Sequence, residues 1–197
     1  MSKLFKANKA NGRAPTIRLI GGQWRGRRLP LINVPGLRPT GDRIRETLFN
    51  WLAADLVDSV CLDLFAGSGA LGFEALSRGA SKAILIDSHP RVFAQLQRHV
   101  EQLSATRAQL FCSDVLQWLT AQSMPMRSVN IVFVDPPFAD NLWKSTFAAL
   151  IETQILADNA KLYVESPRNQ RLILPDKWQV YREKLAGDVC YRLLIAT

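Results

Sequence analysis

Hydrophobic and polar positions along this chain follow a repeating order: a short apolar run, then a stretch with apolar residues at helical spacing. Residues 60–65 (VCLDLF) form the first run, and Leu71, Ala75 and Leu76 behind it predict an amphipathic helix. Residues 83–87 form the second, after which Ser88-His89-Pro90 offers a cap and a first-turn proline to a helix carrying Val92, Leu96, Val100 and Leu103. Residues 108–112 and a short helix through Trp118 and Leu119 come third, and residues 129–134 fourth. Strands alternating with helices in this way predict a doubly wound, mostly parallel α/β sheet. Residues 161–165 add a fifth strand, and residues 178–184 and 190–196 complete seven as a hairpin around Ala186-Gly187-Asp188.

The first forty residues follow a different pattern. Residues 1–15, lysine-rich with Asn8, Asn11, Gly12 and Pro15, have little to pack and predict a disordered basic tail. Residues 16–20 and 24–29 alternate on either side of Gly21-Gly22, which predicts a basic β-hairpin extension over residues 16–36, with the main domain running from 37 to 197. Pro39 breaks the strand, Thr40 or Asp42 can cap, and Ile44, Leu48, Trp51 and Leu52 recur with a helical period. Arg43, Thr47 and Asn50 fall on another side, where they can line a cleft.

Charge sharpens this division. The chain carries +8 overall, yet residues 1–45 hold eleven Lys and Arg against one acid, a net of +10 that leaves −2 for the rest. A polyanion held by the first quarter of the chain accounts for this asymmetry, as does a merely solubilising tail. Arg18, Arg25, Arg27 and Arg28 can neutralise phosphates, and Trp24 can stack on an unpaired base, a combination suited to single-stranded or looped RNA, or can equally be an ordinary packing residue. No apolar run reaches the roughly 18 residues of a membrane span, and the N-terminus has no apolar leader core, so we expect a soluble, cytoplasmic monomer. Cys61, Cys112 and Cys190 form no C-x-x-C pair and read as small packing residues, not metal ligands. His89 and His99 have no metal-ligand spacing and read as surface residues.

The chemistry is concentrated after two of the strands. Gly67, Gly69 and Gly72 satisfy the G-x-G-x-x-G dinucleotide fingerprint, but Asp63 stands four positions before the first glycine. Beside a pyrophosphate that carboxylate would be repelled by about 4 kcal/mol at 4 Å and an effective dielectric near 20. A cationic nucleoside suits it better, and S-adenosylmethionine carries an ammonium and a sulfonium with no phosphate. Asp87, at the end of the second strand, stands where an acid can hold a ribose diol. Asp114, after the third, can accept from an adenine amino group and is equally a good helix cap. After the fourth strand comes Asp135-Pro136-Pro137-Phe138, and strands one and four flank the switch point of such a sheet, so the two motifs should meet.

An aromatic amine is a poor nucleophile until acceptors on its hydrogens hold it pyramidal and aimed at the methyl group. Asp135 and the Pro136 carbonyl can be those acceptors, the prolines fix their backbone, and Phe138 can stack on the base, preorganisation worth on the order of 3 kcal/mol per group. Glu165-Ser166, ending the fifth strand on the same side, can line the base pocket. Trp143 and Lys144 can touch RNA or belong to core and surface. No active-loop cysteine is available for a covalent route.

With those segments in hand, the chain resembles the RsmD family, the bacterial small-subunit ribosomal RNA guanine-N2 methyltransferases, from Ile17 through Leu194. GGQWRGRRLP at 21–30, LRPTGDRIRETLFNWL at 37–52, LDLFAGSGALGFEALSRGA at 62–80, IVFVDPPF at 131–138 and YVES at 163–166 carry the resemblance. It implies a class I S-adenosylmethionine-dependent, Rossmann-like fold, cytoplasmic rRNA processing, and methyl transfer to the guanine of 16S rRNA usually numbered 966, in the small subunit or its assembly intermediate. Carried onto this chain, it implies Asp63, Phe65, Ala66, Gly67, Ser68 and Gly69 around the methionine moiety, Asp87 and Ser88 at the ribose, and Asp114 and Val115 near the adenine. It further implies that residues 38–47, Thr40 and Arg43 among them, help close the cofactor site. The RNA-binding set becomes Arg18, Trp24, Arg25, Arg27, Arg28 and Arg38, and the catalytic set Asp135, Pro136, Pro137 and Phe138. Relatives often place a glutamate where this chain has Asp87, and vary at Asp114. A DNA or RNA adenine-N6 methyltransferase would share the catalytic residues, although no separate target-recognition domain is evident. A nicotinamide oxidoreductase is disfavoured by Asp63, and a non-catalytic RNA-binding assembly factor would keep the hairpin while tolerating loss of Asp135.

Overall fold

The computed structural model of the protein describes residues 15–34 and 40–196. The predicted tail up to residue 14, and Arg38, lie outside the described residues. The chain opens with a two-stranded antiparallel ribbon of β1 (Thr16–Arg18) and β2 (Arg28–Pro30), in which Ile17 and Leu29 face inward and Arg18 and Arg28 outward. A seven-stranded sheet follows: β3 (Val60–Asp63), β4 (Lys82–Asp87), β5 (Ala108–Cys112), β6 (Val129–Val134), β7 (Leu156–Pro167), β8 (Trp178–Ala186) and β9 (Val189–Ala196). Its order is β5-β4-β3-β6-β7-β9-β8, with β9 antiparallel to both neighbours and the rest parallel. The chain winds outward from β3 to one edge, then restarts at β6, so the β3–β6 boundary is the switch point beyond whose strand ends ligands bind.

Helices α1 (Asp42–Trp51), α2 (Ala70–Ser77) and α3 (Pro90–Leu103) cover one face, where Leu48, Phe49, Leu71, Phe73 and Leu96 meet Cys61, Leu85 and Phe133. Helices α4 (Val115–Ala121) and α5 (Trp143–Glu152) cover the other, where Trp118, Phe147 and Leu150 meet Leu62, Val132 and Val164. Successive residues of β3 and β6 thus serve opposite layers, the period-two pattern of a strand buried on both sides. Among the described residues no helix is long and apolar enough to cross a membrane.

Four expectations are corrected here. Helix α2 is not amphipathic but buried along its whole length, because the N-terminal ribbon covers its outer face. Glu74, with no exposed surface, accepts from the Ile20 and Gly21 amides at 2.8 Å and from Arg78 Nε at 2.7 Å, and stands 3.6 Å from the equally buried Arg45. Trp24 lies in a single 3-10 turn (Gly22–Trp24) and is 8% exposed, its amide donating to Ser77 Oγ at 2.9 Å. It is therefore a packing residue, with no ring face to offer a base. Gly22 adopts φ +71° and runs so close to Ser77 O that any Cβ would collide with it, which is why glycine stands there. Neither Thr40 nor Asp42 caps α1. Gly41 is the N-cap and makes no side-chain bond, and Asp42 instead accepts from Arg45 Nη2 at 2.6 Å. His99 is 1% exposed, its Nε2 lying 2.9 Å from the Pro30 carbonyl, and burial holds its pKa below the usual histidine range.

Candidate active site

Strand β3 ends on Asp63 and β6 delivers Asp135 from the neighbouring strand end, the register pairing Asp63 with Phe133 two residues earlier. Both carboxylates line one cavity of about 1010 Å³ at the switch point.

The glycine turn between β3 and α2 forms one wall. Phe65, Ala66, Gly67 and Ser68 line the cavity, while Gly69 lies behind it as the N-cap of α2, at φ +76° and against Phe73 and Leu96. Asp63 is 3% exposed and accepts from the Gly72 amide in the first turn of α2 at 3.0 Å. Burial nevertheless pushes its pKa up to about 7, the Gly72 bond only partly opposing this and Asp87 adding to it. Asp87 ends β4 and ties the turn down, accepting from the Gly67 amide at 2.9 Å and the His89 amide at 2.8 Å. Its pKa is also raised, chiefly by burial. Ser88, Asp114 and Val115 continue the wall, and Asp114 caps α4 through the amides of Leu116 and Gln117 at 2.9 and 3.0 Å.

The opposite wall is Asp135, Pro136, Pro137 and Phe138. Asp135 lies well above the ordinary carboxylate range because it is buried and because Glu165 and Asp63 stand near it. Phe138 is 38% exposed, and its ring lies 5.9 Å from that of Trp143. Trp143 is a core residue: it backs Phe138 and donates from Nε1 to the Glu165 carbonyl at 2.8 Å. Thr40 closes the rim, its hydroxyl donating to Glu165 Oε1 at 2.9 Å. Arg43 is exposed and does not line the cavity. Ile44 one residue on does, since the helix turns that side inward.

Arg18, Arg25, Arg27 and Arg28 are exposed on the ribbon, Arg18 sharing Asp42 with Arg45. Glu165 carries more of the wall than its sequence suggests, and Val34, Ile44, Ala186, Gly187 and Val189 also line the cavity. The sequence marked Ala186-Gly187-Asp188 only as a hairpin turn, with no signal that this tip would reach the site.

Among the described lining residues stand six carboxylates (Asp63, Asp87, Asp114, Asp135, Asp140, Glu165) and no lysine or arginine. These carboxylates would repel a pyrophosphate, whereas a nucleoside carrying positive charge would relieve their mutual repulsion. Among the described residues no group of three or more acids, histidines or cysteines is arranged to hold a metal ion.

The family model described as conserved hypothetical protein 95 matches residues 17–195. A protein of Escherichia coli (strain K12) named ribosomal RNA small subunit methyltransferase D is 52% identical over 178 residues, covering 90% of this chain and 88% of that one. Its namesake in Haemophilus influenzae is 45% identical, with 90% and 92% covered. A solved structure from Escherichia coli superposes with a TM-score of 0.84 at 48% identity, covering 92% of this chain and 98% of that chain.

Proposed function

The chain belongs to the RsmD family, and from that membership and the paired carboxylates of its cavity we propose that it is an S-adenosylmethionine-dependent rRNA methyltransferase acting on the exocyclic N2 of a guanine of 16S rRNA, usually numbered 966, in the small subunit or its assembly intermediate. The observation that carries the reading is a single cavity holding Asp63 and Asp135 with no lysine or arginine among its described lining residues.

S-adenosylmethionine supplies an electrophilic methyl group on a sulfonium. Asp63, with the turn from Phe65 to Ser68, faces the ammonium and methionine end, Asp87 and Ser88 the ribose, and Asp114 and Val115 the adenine. A carboxylate has about four acceptor positions, so Asp87 can hold two backbone amides and still accept from a hydroxyl. Asp135 and the Pro136 carbonyl accept the two amine hydrogens, pointing the nitrogen lone pair at the methyl carbon, while Phe138 stacks on the base. The bound cofactor would supply the methyl group, and the proton the amine would shed on gaining it would pass to a neighbouring carboxylate, a role for which Asp135, whose pKa is raised, is placed. The exposed arginines of the ribbon dock on phosphates, and taking the target from a loop spares most of the few kcal/mol of unstacking.

Modified-nucleotide mapping of rRNA from cells lacking the protein should show one guanine in 16S rRNA losing an N2 methyl group. Tritium transfer from S-adenosylmethionine to small subunits, and none to duplex DNA, separates this reading from an adenine-N6 DNA methyltransferase. An unchanged methylation map would overturn it.

A further inference from the structure

Glu165 is marked by the sequence only as the end of a strand near the base pocket. The β6–β7 register pairs Val134 with Val164, so the next residues, Asp135 just past the end of β6 and Glu165 in β7, stand side by side, both lining the cavity. Glu165 is 5% exposed, and its Oε1 accepts from Thr40 Oγ1 at 2.9 Å and Tyr163 Oη at 2.7 Å. Trp143 Nε1 pins its backbone carbonyl. Its position is therefore set from a cavity rim, a core tyrosine and a buried indole at once. Two acids held this close favour a ligand that brings hydrogens to both.

The edge of guanine that carries N2 presents two neighbouring donors, the amine and N1–H, whereas adenine sets its amine beside an N1 acceptor. Resting on the guanine-N2 reading above, we propose that Glu165 selects the base: it accepts N1–H of the target guanine while Asp135 accepts from the amine. The base hydrogen joins Thr40 and Tyr163 on a group with about four acceptor positions. A purine with a lone pair at N1 places that lone pair against the carboxylate and is rejected, by the logic through which sites built for a donor exclude analogues that lack it.

The test uses small subunits reconstituted with the target guanine or with 2-aminopurine in its place, which keeps the exocyclic amine but carries an acceptor at N1. The wild-type protein should methylate the guanine subunits with kcat/KM on the order of 100-fold higher. In Glu165→Gln, Oε1 still accepts from Thr40 and Tyr163 while the new amide can donate to N1. This variant should lose about 100-fold on guanine and bring the two substrates within about tenfold of each other. Its melting temperature and S-adenosylmethionine affinity should match the wild type, and the wild-type comparison stands whether or not the variant folds. Equal wild-type rates on the two bases, or an equal loss on both in Glu165→Gln, would overturn the assignment. Failure of the wild-type protein to methylate guanine subunits at all would instead sink the guanine-N2 reading beneath it.

Discussion

The N-terminal ribbon and the switch-point cavity carry opposite charge by opposite means. Arg25, Arg27 and Arg28 stand in solvent, where each is screened within about 8 Å at physiological salt and attracts any polyanion without discrimination. Asp63 and Glu165, at 3% and 5% exposure, are desolvated, so their charge is stable only opposite a group that complements it. The exposed set suits docking and the buried set suits choosing. Between them lies the Glu74 anchor, through which the ribbon's Ile20 and Gly21 amides are bound to the same α2 whose first turn holds Asp63.

Breaking that anchor should produce the largest effect. Glu74→Ala leaves Arg45 buried without its 3.6 Å partner and two amides unpaired, and should cost about 3–5 kcal/mol, read as a drop on the order of 10 °C in Tm. If Tm is unmoved, the ribbon is not part of the core. Asp135→Ala should lower kcat by on the order of 10³-fold with S-adenosylmethionine affinity little changed. A variant that kept turnover would return the protein to the class of non-catalytic RNA binders. Replacing Arg25, Arg27 and Arg28 by alanine should raise KM for small subunits about tenfold, flatten its salt dependence by roughly two to three units of slope, and leave cofactor affinity alone. An unaltered salt slope would move the RNA surface elsewhere.

Sequence periodicity revealed the parallel sheet because its central strands are buried on both faces and read as apolar runs wherever the chain is cut. The two ends of the site were legible for the same reason, since Asp63 and Asp135 each interrupt such a run at its carboxyl end. What was hidden depended on contacts between distant segments. Trp24 and Arg45 sit in a basic stretch that looks solvated, and only docking on Glu74 and Ser77 buries them. Helix α2 loses its polar face to the same docking. Arg43 and Ile44 exchanged roles because one helical step decides which faces the cavity, and periodicity does not fix rotation that finely. Glu165 was legible as a pocket residue from its place at the end of the fifth strand, but its pairing beside Asp135 comes from the β6–β7 register, which no local pattern encodes.

On the proposed function, a buried carboxylate, Asp63, receives the positive end of the cofactor. Its pKa of about 7 means that folding raises it, so its contribution to stability is present at low pH and lost as pH rises toward 7. A bound cation reverses this preference, so binding must expel the proton, and affinity should fall about tenfold per pH unit below 7. Titration calorimetry of S-adenosylmethionine at pH 6, in buffers of different ionisation enthalpy, measures that proton directly. The wild type should release nearly one proton, and Asp63→Asn should lose most of that release. Binding by the wild type with no proton released, or with the same release from the variant, would contradict that role for Asp63.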